Sequence, residues 1–120
     1  MKKLVLTVSF VLTAFVAFAQ CGKVESDGRT LRSSSNALMG KIDSDGATIR
    51  NANNSMLGKV DSDKKHIRNS NNSLVLVIDG NTLRNANNGS IGSLSDVSRG
   101  IGVSNPSPAQ VALWWFLCKN

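Results

Sequence analysis

The 120 residues suffice for one small domain, and 41% of them are apolar, which excludes an intrinsically disordered chain but provides only a thin core. Lysine and arginine number 14 against 8 aspartates and glutamates, so the chain is basic, with a formal net charge of +6. A core of this size needs regular backbone pairing or a covalent cross-link to be stable.

The N-terminal segment, residues 1–19, has the pattern of a secretory signal peptide. Two lysines precede an apolar run, Leu4–Phe18, and the segment ends in the small-x-small site Ala17-Phe18-Ala19. A membrane anchor is the alternative, but an anchor requires roughly 20 apolar residues and has no such site. The sequence therefore predicts export to the periplasm or the extracellular space, with Gln20 as the first mature residue and a net charge reduced to +4.

The two cysteines, Cys21 and Cys118, lie near the two ends of the predicted mature chain. Disulfides persist in oxidising compartments, so these residues are a candidate disulfide pair. The alternative is a lipoprotein that carries its lipid on Cys21. A lipoprotein signal has a small residue directly before the cysteine, and Gln20 in that place argues against lipid anchoring.

From residue 22 onward the chain repeats itself. The units begin at Gly22, Gly40, Gly58, Leu76 and Gly92, so the period is 18 residues three times and then 16. A period of this length accommodates two short strands and two turns but is short for two helices. The fifth unit, GSLSDVSRGIGV, is a fainter copy of the others.

Each unit is predicted to be a β-hairpin followed by a second turn. The turns are marked by Ser-Asp-Gly and by asparagine runs such as Asn51–Asn54, because these residues tolerate positive φ or bond their own backbone. Strand alternation places Leu38, Gly40 and Ile42 on one face, with the corresponding residues of the next units. Across the hairpin, Ile42 is expected to face Ile49.

The shorter fourth unit tests this register. Its apolar pair, Ile78 and Leu83, stays in register only if the hairpin loop shrinks to Gly80-Asn81. Gly-Asn is a favourable two-residue hairpin loop, so the two missing residues are absorbed by the turn.

Glycine recurs at one inward position of the units, as in Gly40 and Gly58, and two interpretations remain open there: converging backbones, or a β-bulge. A single hairpin cannot bury its apolar face, so several must pack together. They are either arranged radially around an axis or stacked as a β-solenoid, and the repeat pattern favours neither.

The repeated text G-[KR]-[VI]-x-S-D-G-x-[TH]-[IL]-R-[NS], followed by the aromatic-rich segment Val111–Phe116, resembles the five-fold beta-flower proteins, an exported hairpin-repeat family. The resemblance covers residues 22 to about 118. It implies an all-β fold in which the hairpins form a closed radial array, and it brings no established activity and no catalytic residues. The predicted organisation is a repeat domain, residues 20–104, completed by a closing segment, residues 105–120.

The closing segment contains a wholly apolar stretch, Val111–Cys118, that is too short to cross a bilayer as a helix. We expect it to form a strand or plug that buries against the repeats. The alternative is a patch that faces a membrane or a partner, since both tryptophans of the protein lie here.

Few residues suggest chemistry. His66 replaces a threonine of the other units and has no partner of its kind, so no catalytic or metal-binding role is predicted for it. The Asp-Ser-Asp-Gly text resembles the start of a calcium loop, but the later ligands are missing and the same residues are common in turns. The sequence therefore predicts no catalytic residue, no metal, no cofactor and no enzyme activity.

The predicted register places lysine opposite arginine in three hairpins. These like charges are either neutralised by the diagonal carboxylates of Glu25, Asp43 and Asp61, or they form a repeated anion-binding face. The second interpretation predicts a binding module for an acidic polymer or glycan; a self-assembling structural module of the cell envelope is the alternative. Nucleic acid is not an expected partner. The candidate binding residues are Lys23, Arg32, Lys41, Arg50, Lys59 and Arg68.

Overall fold

The computed structural model describes residues 21–119, so the predicted signal peptide and its cleavage site lie outside the described residues. Nine strands form one antiparallel sheet in chain order, and two helices follow. The strands are β1 (Lys23–Val24), β2 (Thr30–Arg32), β3 (Leu38–Ile42), β4 (Thr48–Asn51), β5 (Met56–Val60), β6 (His66–Asn69), β7 (Leu74–Asp79), β8 (Thr82–Arg84) and β9 (Ser90–Ser93). The helices are α1 (Leu94–Ile101) and α2 (Pro108–Trp114), and α2 continues into a π-helical turn, Trp115–Lys119.

The hairpin register predicted from the repeats is confirmed. Ile42 pairs with Ile49 between β3 and β4, and Ile78 pairs with Leu83 between β7 and β8. The fourth hairpin does shorten its loop to Gly80 and Asn81, with Gly80 in the left-handed region at φ 60°. Loop length and apolar pairing thus act together to fix the register.

A β-bulge precedes the repeated glycine and corrects the predicted strand faces. Leu31 pairs with Gly40 while its neighbour Arg32 pairs with Leu38, so Met39 is an extra residue without a partner. The bulge turns Met39 towards the core and leaves Leu38 37% exposed, and the prediction that Leu38 shares the inner face of Gly40 is wrong. The same shift recurs in the next three units, at Leu57, Val75 and Ile91, which leaves Met56, Leu74 and Ser90 on the outer face.

The core lies between the inner face of the sheet and α2. Val111, Ala112 and Leu113 of α2 are fully buried, and each strand from β1 to β8 contributes one buried apolar residue to the same cluster. Because all these strands share one core with α2, to which Val97 and Ile101 of α1 also contribute, the hairpins are arranged radially around α2 and are not stacked as a solenoid. The strand residues are Val24, Leu31, Ile42, Ile49, Val60, Ile67, Leu76 and Leu83.

The fifth unit differs from the predicted hairpin, because only its first half is a strand. After β9 the chain forms α1, which contacts both β9 and β1, and the carbonyl of Gly100 accepts hydrogen bonds from the backbone N–H groups of Cys21 (2.8 Å) and Gly22 (3.3 Å). The closed ring of hairpins that the resemblance implied is therefore corrected: the sheet stays open, and α1 lies between its two edge strands.

The closing segment is helical where a strand was one expectation, and it fills the centre as a plug. Pro108 occupies the first turn of α2, and Ser107 caps the helix by accepting a hydrogen bond from the Gln110 backbone N–H (3.2 Å). The π-helical turn ends beside the first strand, where Cys118 forms a disulfide with Cys21, 97 residues away. Neither helix in residues 21–119 is long and apolar enough to cross a membrane.

Candidate functional site

The outer face of the sheet is built from polar rows that cross neighbouring strands. One row begins at Asp43, directly after β3, and continues with Thr48, Lys59, Arg68 and Leu74 on strands β4 to β7, each beside the next in the backbone pairing. The same order of side-chain types recurs one unit earlier and, with substitutions, one unit later. These rows are Glu25, Thr30, Lys41, Arg50 and Met56, and Asp61, His66, Val77, Arg84 and Ser90.

The arginine of each hairpin is held by structural partners. The Nε of Arg50 donates to Asp43 Oδ2 at 2.7 Å, and its Nη1 donates to the backbone carbonyl of Asn54 at 3.1 Å. Each arginine therefore ties the turn of its own hairpin to the loop that leads to the next one. The same pair of contacts occurs at Arg32, Arg68 and Arg84.

For the arginines, these ion pairs support the first of the two interpretations of the basic face, in which carboxylates neutralise the charge. About a third of each arginine side chain is accessible, so each pair stabilises the fold by about 0.5 kcal/mol. The diagonal carboxylates Glu25, Asp43 and Asp61 neutralise the arginines, as the sequence allowed. Sequence reasoning missed the second contact, to the asparagine carbonyl, because no side-chain pattern encodes it.

The lysines of the predicted basic face are placed differently. Lys23, Lys41 and Lys59 lie directly opposite their arginines, in the register that the sequence predicted. All three are exposed, and none takes part in the ion pairs formed among residues 21–119. The corresponding residue of the fourth hairpin is Val77, so the sheet forms at this position without a lysine. We call these three residues the lysine row.

A cleft of about 920 Å³ lies along the first hairpin and includes the first member of the lysine row. Its lining contains the basic Lys23 and Arg32 and the acidic Glu25 and Asp27, and Glu25 is paired with Arg32, so the charges of the lining are balanced. The uncharged polar residues of the lining are Ser26, Ser33, Ser34 and Asn36.

The turn aspartates serve the backbone. Asp45 Oδ2 accepts from the Thr48 hydroxyl (2.7 Å) and its Oδ1 accepts from the N–H groups of Ala47 (2.8 Å) and Thr48 (2.9 Å); these bonds lower its pKa from 3.8 to about 2. The backbone N–H groups of Lys65 and His66 likewise lower the pKa of Asp63 to about 2.

His66 occupies the threonine position of its hairpin and bonds the turn aspartate as threonine does. Its Nδ1 lies 2.5 Å from Asp63 Oδ2. Within residues 21–119 no group of three or more His, Cys, Asp or Glu side chains is placed to hold a metal ion. The hydrogen bonds of the turn aspartates and of His66 are therefore explained by their structural role in the hairpin turns.

Comparison with known proteins places the chain in a family. The sequence profile described as "5-fold beta-flower protein" matches residues 17–112, which is most of the chain. No curated protein and no solved structure gives a significant match. The match includes all nine strands, α1 and most of α2, so it rests on the whole radial array and not on a single motif. The chain belongs to the 5-fold beta-flower proteins.

Proposed function

We propose that this protein is an exported, non-catalytic module that binds an acidic polymer, such as an acidic glycan, on the lysine row. The observation that carries the proposal is the contrast between the two basic residues of each hairpin. Arg50 is held by Asp43 and by the backbone, whereas Lys41, directly opposite, has no ion pair within the described chain. Val77 at the equivalent position indicates that folding does not require the lysine.

The spacing of the lysine row suits a repeating ligand. Lys23, Lys41 and Lys59 lie on β1, β3 and β5, and each lysine is also offset by two residues along the strands from the one before it, so neighbouring lysines are more than about 10 Å apart. A polymer with regularly spaced anionic groups can contact several lysines at once, and each further contact forms within an already bound complex. Carboxylates neutralise the arginines beside the lysines, so the lysines carry the charge of this face that is available to bind a partner.

Other observations support the remaining parts of the proposal. Membership of the beta-flower family favours a small non-catalytic repeat module, and the turn aspartates and His66 are engaged in hairpin turns. Export is supported by the signal-peptide pattern of residues 1–19 and by the Cys21–Cys118 disulfide, which is the type of bond that persists outside the cytosol.

The proposal is tested with the triple variant Lys23→Gln, Lys41→Gln, Lys59→Gln. The matched control, Lys64→Gln, Lys65→Gln, Lys119→Gln, removes the same charge from exposed positions elsewhere. We expect the lysine-row variant to bind dextran sulfate at least about tenfold more weakly than the parent, while the control changes little. Parent binding should weaken as salt is raised, because screening reduces an exposed electrostatic contact. Equal losses in the two variants would mean that only net charge matters.

Self-assembly is a second candidate, favoured by two exposed apolar side chains on the same outer face. Leu38 is 37% exposed and Met56 is 36% exposed, both displaced outward by the β-bulges. If these residues mediate contacts between copies, the parent should sediment as an oligomer even at high salt, and Leu38→Ser with Met56→Ser should sediment as a monomer. Deletion of residues 111–120 is unsuitable for this test, because it removes the buried centre of the fold.

A further inference from the structure

The loops that join successive hairpins share one backbone conformation, and together we call them the asparagine rim. In each loop the backbone N–H of the fourth residue donates to the carbonyl of the first, as Asn54 does to Asn51 (3.0 Å), and the fourth residue is left-handed, at φ 70° for Asn54. The loops are residues 33–37, 51–55, 69–73 and 85–89.

Two of the five positions in these loops have a structural task that explains their residue type. The first residue supplies a side-chain acceptor: Asn51 Oδ1 accepts from the N–H groups of Asn53 and Ser55, both at 2.9 Å. The fourth residue must tolerate positive φ, which asparagine does better than most residues. Its backbone carbonyl accepts a hydrogen bond from the arginine of the hairpin. Asparagine at these two positions is therefore accounted for by the fold.

The third position has no such task, yet it is asparagine in three of the four loops: Asn53, Asn71 and Asn87. The fold uses only the backbone N–H of these residues, which any residue except proline can supply. Their side-chain amides are exposed and make no hydrogen bond within residues 21–119. Each of these amides therefore offers donors and an acceptor to a partner.

The rim also differs in charge from the opposite end of the molecule. The four loops of the asparagine rim contain only Ser, Asn, Ala and Gly, with no ionisable side chain. The hairpin turns at the opposite end contain Asp27, Arg29, Asp45, Asp63 and Lys64. The side chains of the rim loops can therefore contact a partner only through uncharged groups.

The aromatic end of the central helix lies at the level of these loops. The ring of Phe116 packs against Gly58 and the Leu117 side chain packs against Gly40. Gly58 pairs with Asn69 and Gly40 pairs with Asn51, which are the first residues of two rim loops. Trp115 and Phe116 both remain half-buried, so this end of the molecule combines uncharged amides with aromatic surface.

We infer that the asparagine rim, with the aromatic end of the central helix, binds a neutral, hydroxyl-rich polysaccharide. Amide groups both donate to and accept from sugar hydroxyls, and the apolar C–H face of a sugar ring packs on an aromatic side chain. Successive rim loops are two strands apart and are also offset by two residues along the strands, so they are at least about 10 Å apart, a spacing of the same order as the disaccharide period of an extended polysaccharide. Several weak amide contacts then add up along one chain.

The experiment uses affinity electrophoresis of the disulfide-bonded protein through gels that contain dextran, mannan or hydroxyethyl cellulose. The variant Asn53→Ala, Asn71→Ala, Asn87→Ala removes the three rim amides and keeps every backbone hydrogen bond of the loops. The matched control is Ser26→Ala, Ser44→Ala, Ser62→Ala, which removes three exposed polar groups from the opposite end. Tryptophan fluorescence during titration provides a second readout, because both tryptophans lie in the central helix and its π-helical turn.

We expect at least one neutral polysaccharide to retard the parent and the serine control, and the rim variant to bind at least about tenfold more weakly with an unchanged Tm. Ser35→Asn, which supplies the missing amide of the first loop, should strengthen binding. Binding should not respond to salt, unlike the attachment of an acidic polymer to the lysine row. If none of the three polysaccharides retards the parent, or if the rim variant binds as the parent does, the inference is wrong. A loss of dextran sulfate binding alone would concern only the lysine row.

Discussion

The second and fifth units begin alike, at Gly40 and Gly92, and then take different structures. The second unit turns at Asp45 and Gly46 and returns as a strand. In the fifth unit these two places hold Val97 and Ser98, and the chain continues as α1.

The comparison shows that turn chemistry decides between hairpin and helix in this fold. Valine has no side-chain oxygen to accept the backbone N–H groups that Asp45 accepts, and serine lacks the freedom of glycine at positive φ. Asp96 instead accepts from the Ser93 N–H at 2.9 Å, which caps a helix. Val97 and Ile101, four residues apart, then reach the same core that the strands reach.

The largest expected effect comes from giving the fifth unit the turn residue of the hairpins. Val97→Asp would place a carboxylate at a fully buried position of α1, and we expect a loss of about 4 kcal/mol or more, enough to unfold the protein. Ser95→Asp, at an exposed position in the first turn of the same helix, is the control and should be tolerated. Circular dichroism during urea unfolding measures both. A Val97→Asp variant as stable as the parent would contradict the burial of this side chain in the core.

The disulfide joins the first hairpin to the π-helical turn that follows α2, and its loss should be the next largest effect. Replacing Cys21 and Cys118 by serine removes a cross-link between residues 97 apart in sequence, which we expect to lower stability by about 3 kcal/mol. The Tm of the oxidised parent, the reduced parent and the double variant gives the comparison. Reduced parent and double variant should agree; a double variant as stable as the oxidised parent would mean that packing alone holds the closing segment.

The repeated glycine has different surroundings in the two kinds of unit. A methyl group at Gly58 would meet the Arg68 carbonyl and the Phe116 ring, whereas at Gly92 its nearest contact is the Asp96 carboxylate, at 3.0 Å. We expect Gly58→Ala to cost about 2 kcal/mol and Gly92→Ala clearly less, because backbone and a packed ring cannot move as a surface side chain can. Urea unfolding measures the difference, and equal losses would contradict the close approach at Gly58.

The hairpins themselves were predictable from the sequence, because apolar pairs such as Ile42 and Ile49 can face each other with only one loop length. A β-bulge at the repeated glycine was one of the two interpretations that the sequence left open, but the residue it displaces was not predictable, since Leu38 and Met39 are both apolar and alternation gives no reason to choose which faces inward. The helix of the fifth unit was missed because the repeat pattern outweighed the absence of a turn residue at Val97.

The candidate site was predictable to the level of backbone register. That register placed Lys41 opposite Arg50 correctly, and it identified Asp43 as a possible partner of the pair. Asp43 pairs with Arg50 and not with Lys41 because of side-chain geometry, and the sequence pattern of a strand carries no information on that geometry. The sequence did not identify asparagines such as Asn53 as candidate binding residues, because asparagine is also common in turns. Only the hydrogen bonds show which asparagine side chains the turn requires.

The acid response should reveal how much the turn aspartates stabilise the hairpins. Asp45 and Asp63 have pKa values lowered from 3.8 to about 2 by hydrogen bonds in the hairpin turns. Since their folded pKa values lie below the unfolded ones, their contribution is complete above about pH 4 and is lost as the pH falls towards about 2. Asp45→Asn with Asp63→Asn keeps a side-chain acceptor without titration, so its stability should fall less than that of the parent over this window. Parallel urea midpoints of parent and variant from neutral to acid pH would contradict this.

The smallest expected effect sharpens the role of positive φ in the turns. Gly28 and Gly46 adopt φ 73° in the first two hairpins, but the third hairpin has Lys64 at the same place, with φ 67°. A residue with a Cβ is strained there, while glycine has more freedom to lose on folding, so we expect Lys64→Gly to raise stability by only about 0.5 kcal/mol. The reciprocal change, Gly46→Lys, has open space around the added Cβ and should lower stability by a similar amount, which isolates the backbone effect. Tm measurements on both variants give the answer. A lower Tm for both Lys64→Gly and Gly46→Lys would contradict this expectation and would mean that Lys64 stabilises its turn through its side chain. In that case positive φ alone would not explain why the fifth unit, which has Ser98 at this place, is a helix.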